Sequence, residues 1–224
     1  MASKDGRAHA QEPSLREVFD RDATNDTRIR VDAQHAVYAT GDDDDAMYLI
    51  EAGQVKLSMS SAAGKDCLIA IHAEGDLFGE SCFTESERRT ESAVAMNSVI
   101  VRRLPRRDFT AAVERAGAMH ALLRHLANRL AERETAVFDV LTMQSERRLA
   151  KTLLAVAERL GARDGQFLKL DQRISHEELS QIVGTTRPRI TAFLAKFKKS
   201  GLLEREGRMI KVHEAKLREY VMAD

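Results

Sequence analysis

The sequence predicts an α+β chain in three parts: a small antiparallel roll of short strands, a long helix, and a helix-turn-helix with a hairpin beside it. Three observations predict this. Short apolar runs alternate with Gly/Asp-containing turns through residues 25–105, as in a small roll or jelly-roll barrel. Apolar residues then recur at steps of four and three from Met119 to Val140. Last, the stretch from Ser175 to Gly201 reads as two short helices around a glycine turn. The expected division is an N-terminal segment at 1–24, partly disordered, a roll at 25–107, a dimerisation helix and hinge at 108–144, and a winged helix-turn-helix at 145–224.

In the roll, Met47–Ile50 and Val55–Met59 flank Glu51-Ala52-Gly53-Gln54, a compact turn whose glycine can take a positive φ. Cys67–Ile71, Ala93–Ala95 and Val99–Leu104 supply further strands. The acidic run Asp42–Asp45 is expected to be a solvated loop, because adjacent carboxylates converge on a cation only in a shaped loop.

After Pro105 the pattern becomes helical, with no proline and one glycine from Asp108 to Met143. Met119, Leu123, Leu126, Leu130, Val137 and Val140 follow the spacing of a coiled-coil seam, with Arg133 at its one polar position. Such a helix extends about 50 Å at 1.5 Å per residue, more than a small roll can cover, so the seam reads as a dimer interface.

A second helical stretch, Ser145–Leu160, stops at Gly161, and a short strand follows near Phe167–Leu170. Ser175 and Glu178 form a capping-box pattern that opens a helix through Val183. Gly184 breaks it, Thr186 is placed to cap the next helix, and Gly201 stops that one. Ile190, Phe193, Leu194 and Phe197 share one face of the second helix, so Pro188, Arg189, Ala192, Lys196 and Lys199 point away from the core. Pro188 sits in the first turn, where its missing N–H costs nothing. A basic helix face suits the major groove, where guanidinium reads guanine and ammonium groups hold phosphates. The candidate DNA-facing residues are Ser175, Thr186, Arg187, Pro188, Arg189, Ala192, Lys196, Lys199 and, on the hairpin wing, Arg208.

Charge supports that division. The chain has 224 residues with 35 Lys+Arg against 35 Asp+Glu. Residues 146–224 hold 17 basic and 11 acidic groups, leaving 18 and 24 for residues 1–145, so a balance of +6 at one end offsets −6 at the other. The basic end suits a polyanion. Two cysteines, Cys67 and Cys82, exclude a disulfide scaffold and a Cys-built metal centre; Cys82 reads as core, with a redox-sensitive thiol as the alternative. No apolar run can span a membrane, and Met1–Glu12 lacks the core of a signal peptide, so a cytoplasmic protein is expected. No catalytic triad, metal-ligand spacing or Walker-type loop occurs, so no enzyme and no metal site is expected.

Gly75-Asp76-Leu77-Phe78-Gly79-Glu80-Ser81, followed by Arg88-Arg89-Thr90, is the other dense signal. A glycine-bounded turn exposes N–H groups to an anion, arginine pairs with phosphate and glutamate accepts from ribose hydroxyls. The order Gly41-Asp42, Gly53, Gly75-Asp76-x-Phe78-Gly79-Glu80, Arg89-Thr90, a long helix, then Gln181-Ile182-Val183-Gly184-Thr185-Thr186-Arg187 resembles the Crp/Fnr superfamily of bacterial transcription regulators over residues 25–221. The resemblance implies a cyclic-nucleotide-binding-type roll, a dimerising helix and a winged helix-turn-helix. It implies that Gly79 and Glu80, with Ser81 beside them, hold a ribose, that Arg89 and Thr90 hold a cyclic phosphate, and that Arg133 and Glu134 face the base. Cyclic-AMP receptors carry small hydroxyl residues at those last two positions, so cyclic AMP, cyclic GMP and cyclic dinucleotides are all candidate effectors, with no cofactor required. Pro188 and Ala192 replace base-reading Glu and Arg of the best-known members, which implies a different operator.

The function expected is a homodimeric, effector-controlled regulator on a pseudopalindromic double-stranded operator, acting on RNA polymerase. The alternatives are a ligand-independent regulator with a degenerate pocket, and a nucleotide-sensing module that binds protein rather than DNA.

Overall fold

Leu15, Val18 and Phe19 fall at the i, i+3, i+4 spacing of one helix face, and residues 15–21 form a helix. This segment belongs to the stretch expected to be partly disordered. All three apolar side chains are buried, and the Phe19 ring lies 5.7 Å from that of Phe109. The computed structural model describes residues 13–21, 27–62, 64, 66–170, 174–206 and 209–223, so most of the N-terminal segment and Arg208 of the wing lie outside the described residues.

The described elements are α1 (Leu15–Arg21), β1 (Thr27–Val31), β2 (Ala36–Tyr38), β3 (Ala46–Ala52), β4 (Gln54–Ser60), β5 (Asp66–Ala73), β6 (Leu77–Phe78), β7 (Ser92–Ala95), β8 (Val99–Pro105), α2 (Arg106–Ala116), α3 (Met119–Thr142) and α4 (Ser145–Leu160). They continue with β9 (Ala162–Asp164), β10 (Phe167–Leu170), α5 (His176–Val183), α6 (Arg187–Lys199), β11 (Leu203–Glu206), β12 (Met209–His213) and α7 (Glu214–Met222).

The roll strands form two sheets, ordered β1-β8-β3-β6 and β2-β7-β4-β5. The pairs β1–β8, β3–β8 and β3–β6 are antiparallel. The turn at Gly53 therefore hands the chain from one sheet to the other instead of closing a two-strand hairpin. Gly53 has φ 88°, and a Cβ there would meet the Ser98 carbonyl at 2.5 Å, so the corner requires glycine.

The helical stretch after Pro105 is not continuous. Gly117 takes φ 66° and ends α2, its N–H bonding back to the Glu114 and Val113 carbonyls, and α3 begins two residues later. α3 runs for 24 residues, about 36 Å, shorter than the continuous helix expected. Ala118, Ala121 and Leu122 are buried with Phe109 and Val113, which explains the break: it turns this short segment into the core.

The chain divides into two compact units, residues 1–55 with 72–90 and 94–130, and residues 56–71 with 91–93 and 131–224. In the first, Phe19, Met47, Leu49, Leu104, Phe109 and Val113 form the core. In the second, α4 buries Leu149, Leu153 and Ala157, α5 buries Leu179 and Val183, and α6 buries Ile190 and Phe197. Its sheet is ordered β11-β12-β10-β9, with antiparallel pairing throughout.

Candidate nucleic-acid interface and effector site

The turn between α5 and α6 is built by local chemistry. The Ser175 hydroxyl accepts from the Glu178 N–H at 3.1 Å, and a Glu178 carboxylate oxygen accepts from the Ser175 N–H at 2.9 Å and its hydroxyl at 2.8 Å. This capping box occupies the Ser175 side chain. Gly184 ends α5 with φ 68°. Thr186 holds the N-cap position of α6, yet its hydroxyl makes no cap bond; Pro188 in the first turn lessens the number of N–H groups to satisfy.

On α6, Arg187, Pro188, Arg189, Ala192, Lys196 and Lys199 are all exposed, while Ile190 and Phe197 are fully buried. The expected polar face therefore faces outward. The Arg189 guanidinium lies 5.7 Å above the Phe193 ring. Lys196 differs from its neighbours, because its ammonium is 2.7 Å from Glu146 of α4. The Tyr220 hydroxyl bonds the same carboxylate. Lys198 and Thr191, also exposed, were not singled out by the wheel; Thr191 donates to the Arg187 carbonyl at 3.1 Å and meets His176 Nδ1 at 2.9 Å.

In the roll, β6 leads into Gly79, which has φ 95°, and a 3₁₀ turn over Glu80–Phe83. A Cβ at Gly79 would lie 2.8 Å from the Ala46 carbonyl and 3.3 Å from Arg89 Nη1. Glycine thus admits the Arg89 guanidinium. Arg89 Nη1 donates to Ser81 Oγ at 2.9 Å and the Gly79 carbonyl at 3.2 Å, and Nη2 donates to the Ala46 carbonyl at 2.6 Å. Nη1 also lies 2.7 Å from Asp44 Oδ1, in an ion pair whose two side chains are 0% exposed. Tyr38 covers the guanidinium at 4.2 Å. Thr90 is exposed.

Glu80 Oε1 is 2.8 Å from His125 Nε2 and 3.0 Å from Arg129 Nε. Burial would raise this carboxyl, but the His125 hydrogen bond and the Arg129 charge outweigh it and hold the pKa at about 2. Arg129 Nη2 also donates to the Leu77 carbonyl at 2.9 Å and lies 3.1 Å from His72 Nδ1. Since guanidinium can only donate, His72 Nδ1 accepts and that ring is neutral.

The residues of α3 that reach Glu80 are therefore His125 and Arg129. Arg133 donates to the Ile69 carbonyl at 2.9 Å, and Glu134 is exposed. The i, i+4 spacing of His125 and Arg129, shared by Arg133 one turn on, was the signal available in the sequence.

Residues 28–116 match the family model for a cyclic nucleotide-binding domain, and residues 147–220 match that for a Crp-like helix-turn-helix domain. The chain is 30% identical over 182 residues to the CRP-like cAMP-activated global transcriptional regulator of Mycobacterium tuberculosis, covering 81% of each protein. It belongs to the Crp/Fnr superfamily of transcription regulators. The Cyclic AMP receptor protein of Thermus thermophilus is 29% identical over 187 residues, covering 83% of each. FixK2 of Bradyrhizobium japonicum superposes with a TM-score of 0.77 at 20% identity, over 89% of this chain and 98% of that one, which shows the shared fold.

No described helix is long and apolar enough to cross a membrane. Among the described residues no cluster of three or more His, Cys, Asp or Glu is placed to hold a metal ion. Burial pushes the Cys82 thiol up to about 12, which suits a core residue and not a thiolate sensor. Along α3 of this regulator, Leu130 is 61%, Phe138 64% and Leu141 79% exposed, with Met119, Leu123, Val137 and Val140 also outward. Leu126 is half-buried against the core of its own unit. Phe138 and Leu141 extend the outward stripe beyond the six residues read from the heptad.

Proposed function

We propose that this regulator acts as a homodimer on pseudopalindromic double-stranded DNA, in the cytoplasm, with the roll as its input domain. The observation that carries the DNA reading is α6: a helix with Ile190 and Phe197 fully buried on one face, Phe193 and Leu194 half-buried beside them, and Arg187, Arg189 and Lys199 exposed on the other. Arg189 is assigned base reading, Lys199 a phosphate contact, and a two-fold dimer sets half-sites about 34 Å apart. The outward stripe of α3 supports the dimer, since an apolar face of this kind needs an apolar partner. The proposed division keeps the roll at 25–107, the dimerisation helix and hinge at 108–144 and the DNA-binding domain at 145–224.

The effector we assign to the roll is a cyclic nucleotide or cyclic dinucleotide, held by Gly79, Glu80, Ser81, Arg89 and Thr90, with Arg133 and Glu134 as α3 positions near a base. Its binding biases the packing of paired α3 helices and, through the joint at 142–147, the DNA-binding domains, which changes promoter occupancy and so the access of RNA polymerase. A second reading, a regulator that works without nucleotide, is favoured by the Asp44–Arg89 pair, which balances the arginine's charge without a ligand.

Light scattering and operator gel shifts on the same samples test this. Leu130→Glu should convert a dimer to monomer and abolish operator binding while random-coil content stays unchanged. A wild-type monomer that binds the operator at full affinity would reject the dimer, and DNA affinity insensitive to salt would reject phosphate contacts and favour a protein partner.

A further inference from the structure

The acidic run Asp42–Asp45 holds four aspartates in three kinds of setting. Asp42 Oδ2 accepts from the Ala39 N–H at 2.8 Å. Asp43 pairs with Arg88 at 2.7 Å and Asp45 with Arg103 at 2.7 Å, both at the surface. Asp44 alone turns inward, onto Arg89. Backbone bonds fix it there: the Asp44 N–H donates to the Glu87 carbonyl at 3.1 Å, the Gly41 N–H to the Arg89 carbonyl at 2.8 Å, and the Arg89 N–H to the Asp42 carbonyl at 2.8 Å. These bonds hold the Asp44 backbone beside residues 87–89, which keeps its carboxylate within reach of Arg89.

Arg89 therefore meets an arriving anion already neutralised. Its two Nη groups are engaged with Asp44, Ser81, Gly79 and Ala46, and Tyr38 covers one face. A phosphate brought to this guanidinium would stand close to a second negative charge in a space shielded from water, where like charges repel strongly. Occupancy of the seat requires the Asp44–Arg89 pair to open, and breaking a buried pair is costly.

We propose that Asp44 is a built-in stand-in for the effector's phosphate: its carboxylate holds Arg89 in the nucleotide-free protein and lowers the affinity of the roll for every cyclic nucleotide. This rests on the reading that Arg89 is the phosphate-holding residue. Asp44 then sets the threshold of the input domain, and its removal converts a weak seat into a strong one.

Calorimetric titration of the full chain with cyclic AMP and cyclic GMP tests the proposal on four proteins: wild type, Asp44→Asn, Asp44→Ala and Asp43→Asn. Asp44→Asn keeps the volume and removes the charge, Asp44→Ala empties the space, and Asp43→Asn removes a neighbouring surface charge. Both Asp44 variants should bind at least about 100-fold more tightly than wild type, while Asp43→Asn matches wild type. Nucleotide should also raise the melting temperature of the Asp44 variants more than that of wild type at equal concentration. Equal affinity in wild type and both Asp44 variants overturns the role of Asp44 and leaves Arg89 as the phosphate residue. An equal gain in Asp43→Asn overturns it too, by assigning the effect to diffuse charge. If none of the four binds, the effector reading itself falls, and the role of Asp44 with it. Should an Asp44 variant melt without a cooperative transition, recovery of that transition by nucleotide supports the proposal, and failure to recover in both variants counts against it.

Discussion

Arg89 in the roll and Arg189 on α6 are the same residue type in opposite states. Arg89 is fully buried, ion-paired and bonded to two backbone carbonyls and a hydroxyl. Arg189 is exposed on a helix whose other face is core. The first has exchanged water for protein partners and is part of what holds the roll together. The second keeps its charge at the surface, above the Phe193 ring, where a polyanion can reach it. Arg189 stands open to solvent, while Arg89 is already paired within the chain.

The contrast can be broken most forcefully at Arg89. Arg89→Ala leaves Asp44 as a buried, uncompensated carboxylate and should cost about 3–5 kcal/mol in denaturant unfolding, whereas Arg189→Ala should stay within about 0.5 kcal/mol. Comparable losses for the two would erase the distinction.

The next effect is at Glu80. Its folded pKa of about 2 lies below the ordinary value, so its contribution is complete above the unfolded pKa near 4.5 and disappears as the pH falls through the folded value. Glu80→Gln should therefore lose about 3 kcal/mol at neutral pH, and the gap to wild type should close between pH 4.5 and 2. A gap that persists undiminished at pH 2 would reject the charge-based account of Glu80, His125 and Arg129.

On the output side, Arg189→Ala should weaken operator binding by about 1–3 kcal/mol and relax base preference, with little change on random DNA. Equal losses on both would make Arg189 a phosphate contact. The smallest effect belongs to Lys199→Ala, which should weaken all sequences alike and reduce the salt slope by about 1; a sequence-dependent loss would move it among the base readers.

How much of this was legible in the sequence varied with the range of the interaction. The capping box at Ser175–Glu178, the left-handed Gly184 and the apolar face of α6 were all legible, because each depends on residues within four positions of one another. α1 had the same kind of signal in Leu15, Val18 and Phe19, but seven residues between polar stretches offered too short a pattern to stand out. The break at Gly117 was marked by the only glycine in the helical stretch, and the seam spacing itself begins only at Met119. His125 and Arg129 were hidden because their partner Glu80 is 45 and 49 residues away.

The acidic run shows the limit most clearly. Four consecutive aspartates read as a solvated loop, and three of them do bond at or near the surface. Asp44 does not, because the loop pairs with residues 87–89 and places its carboxylate against Arg89. The sequence by itself determined the α5–turn–α6 unit, the Ser175–Glu178 capping box, the basic face and the family, since these follow from local spacing and residue chemistry. Tertiary structure alone decided which charges face water and which face each other, since that depends on the strands brought side by side, and burial makes each such pairing matter far more than it would in solvent.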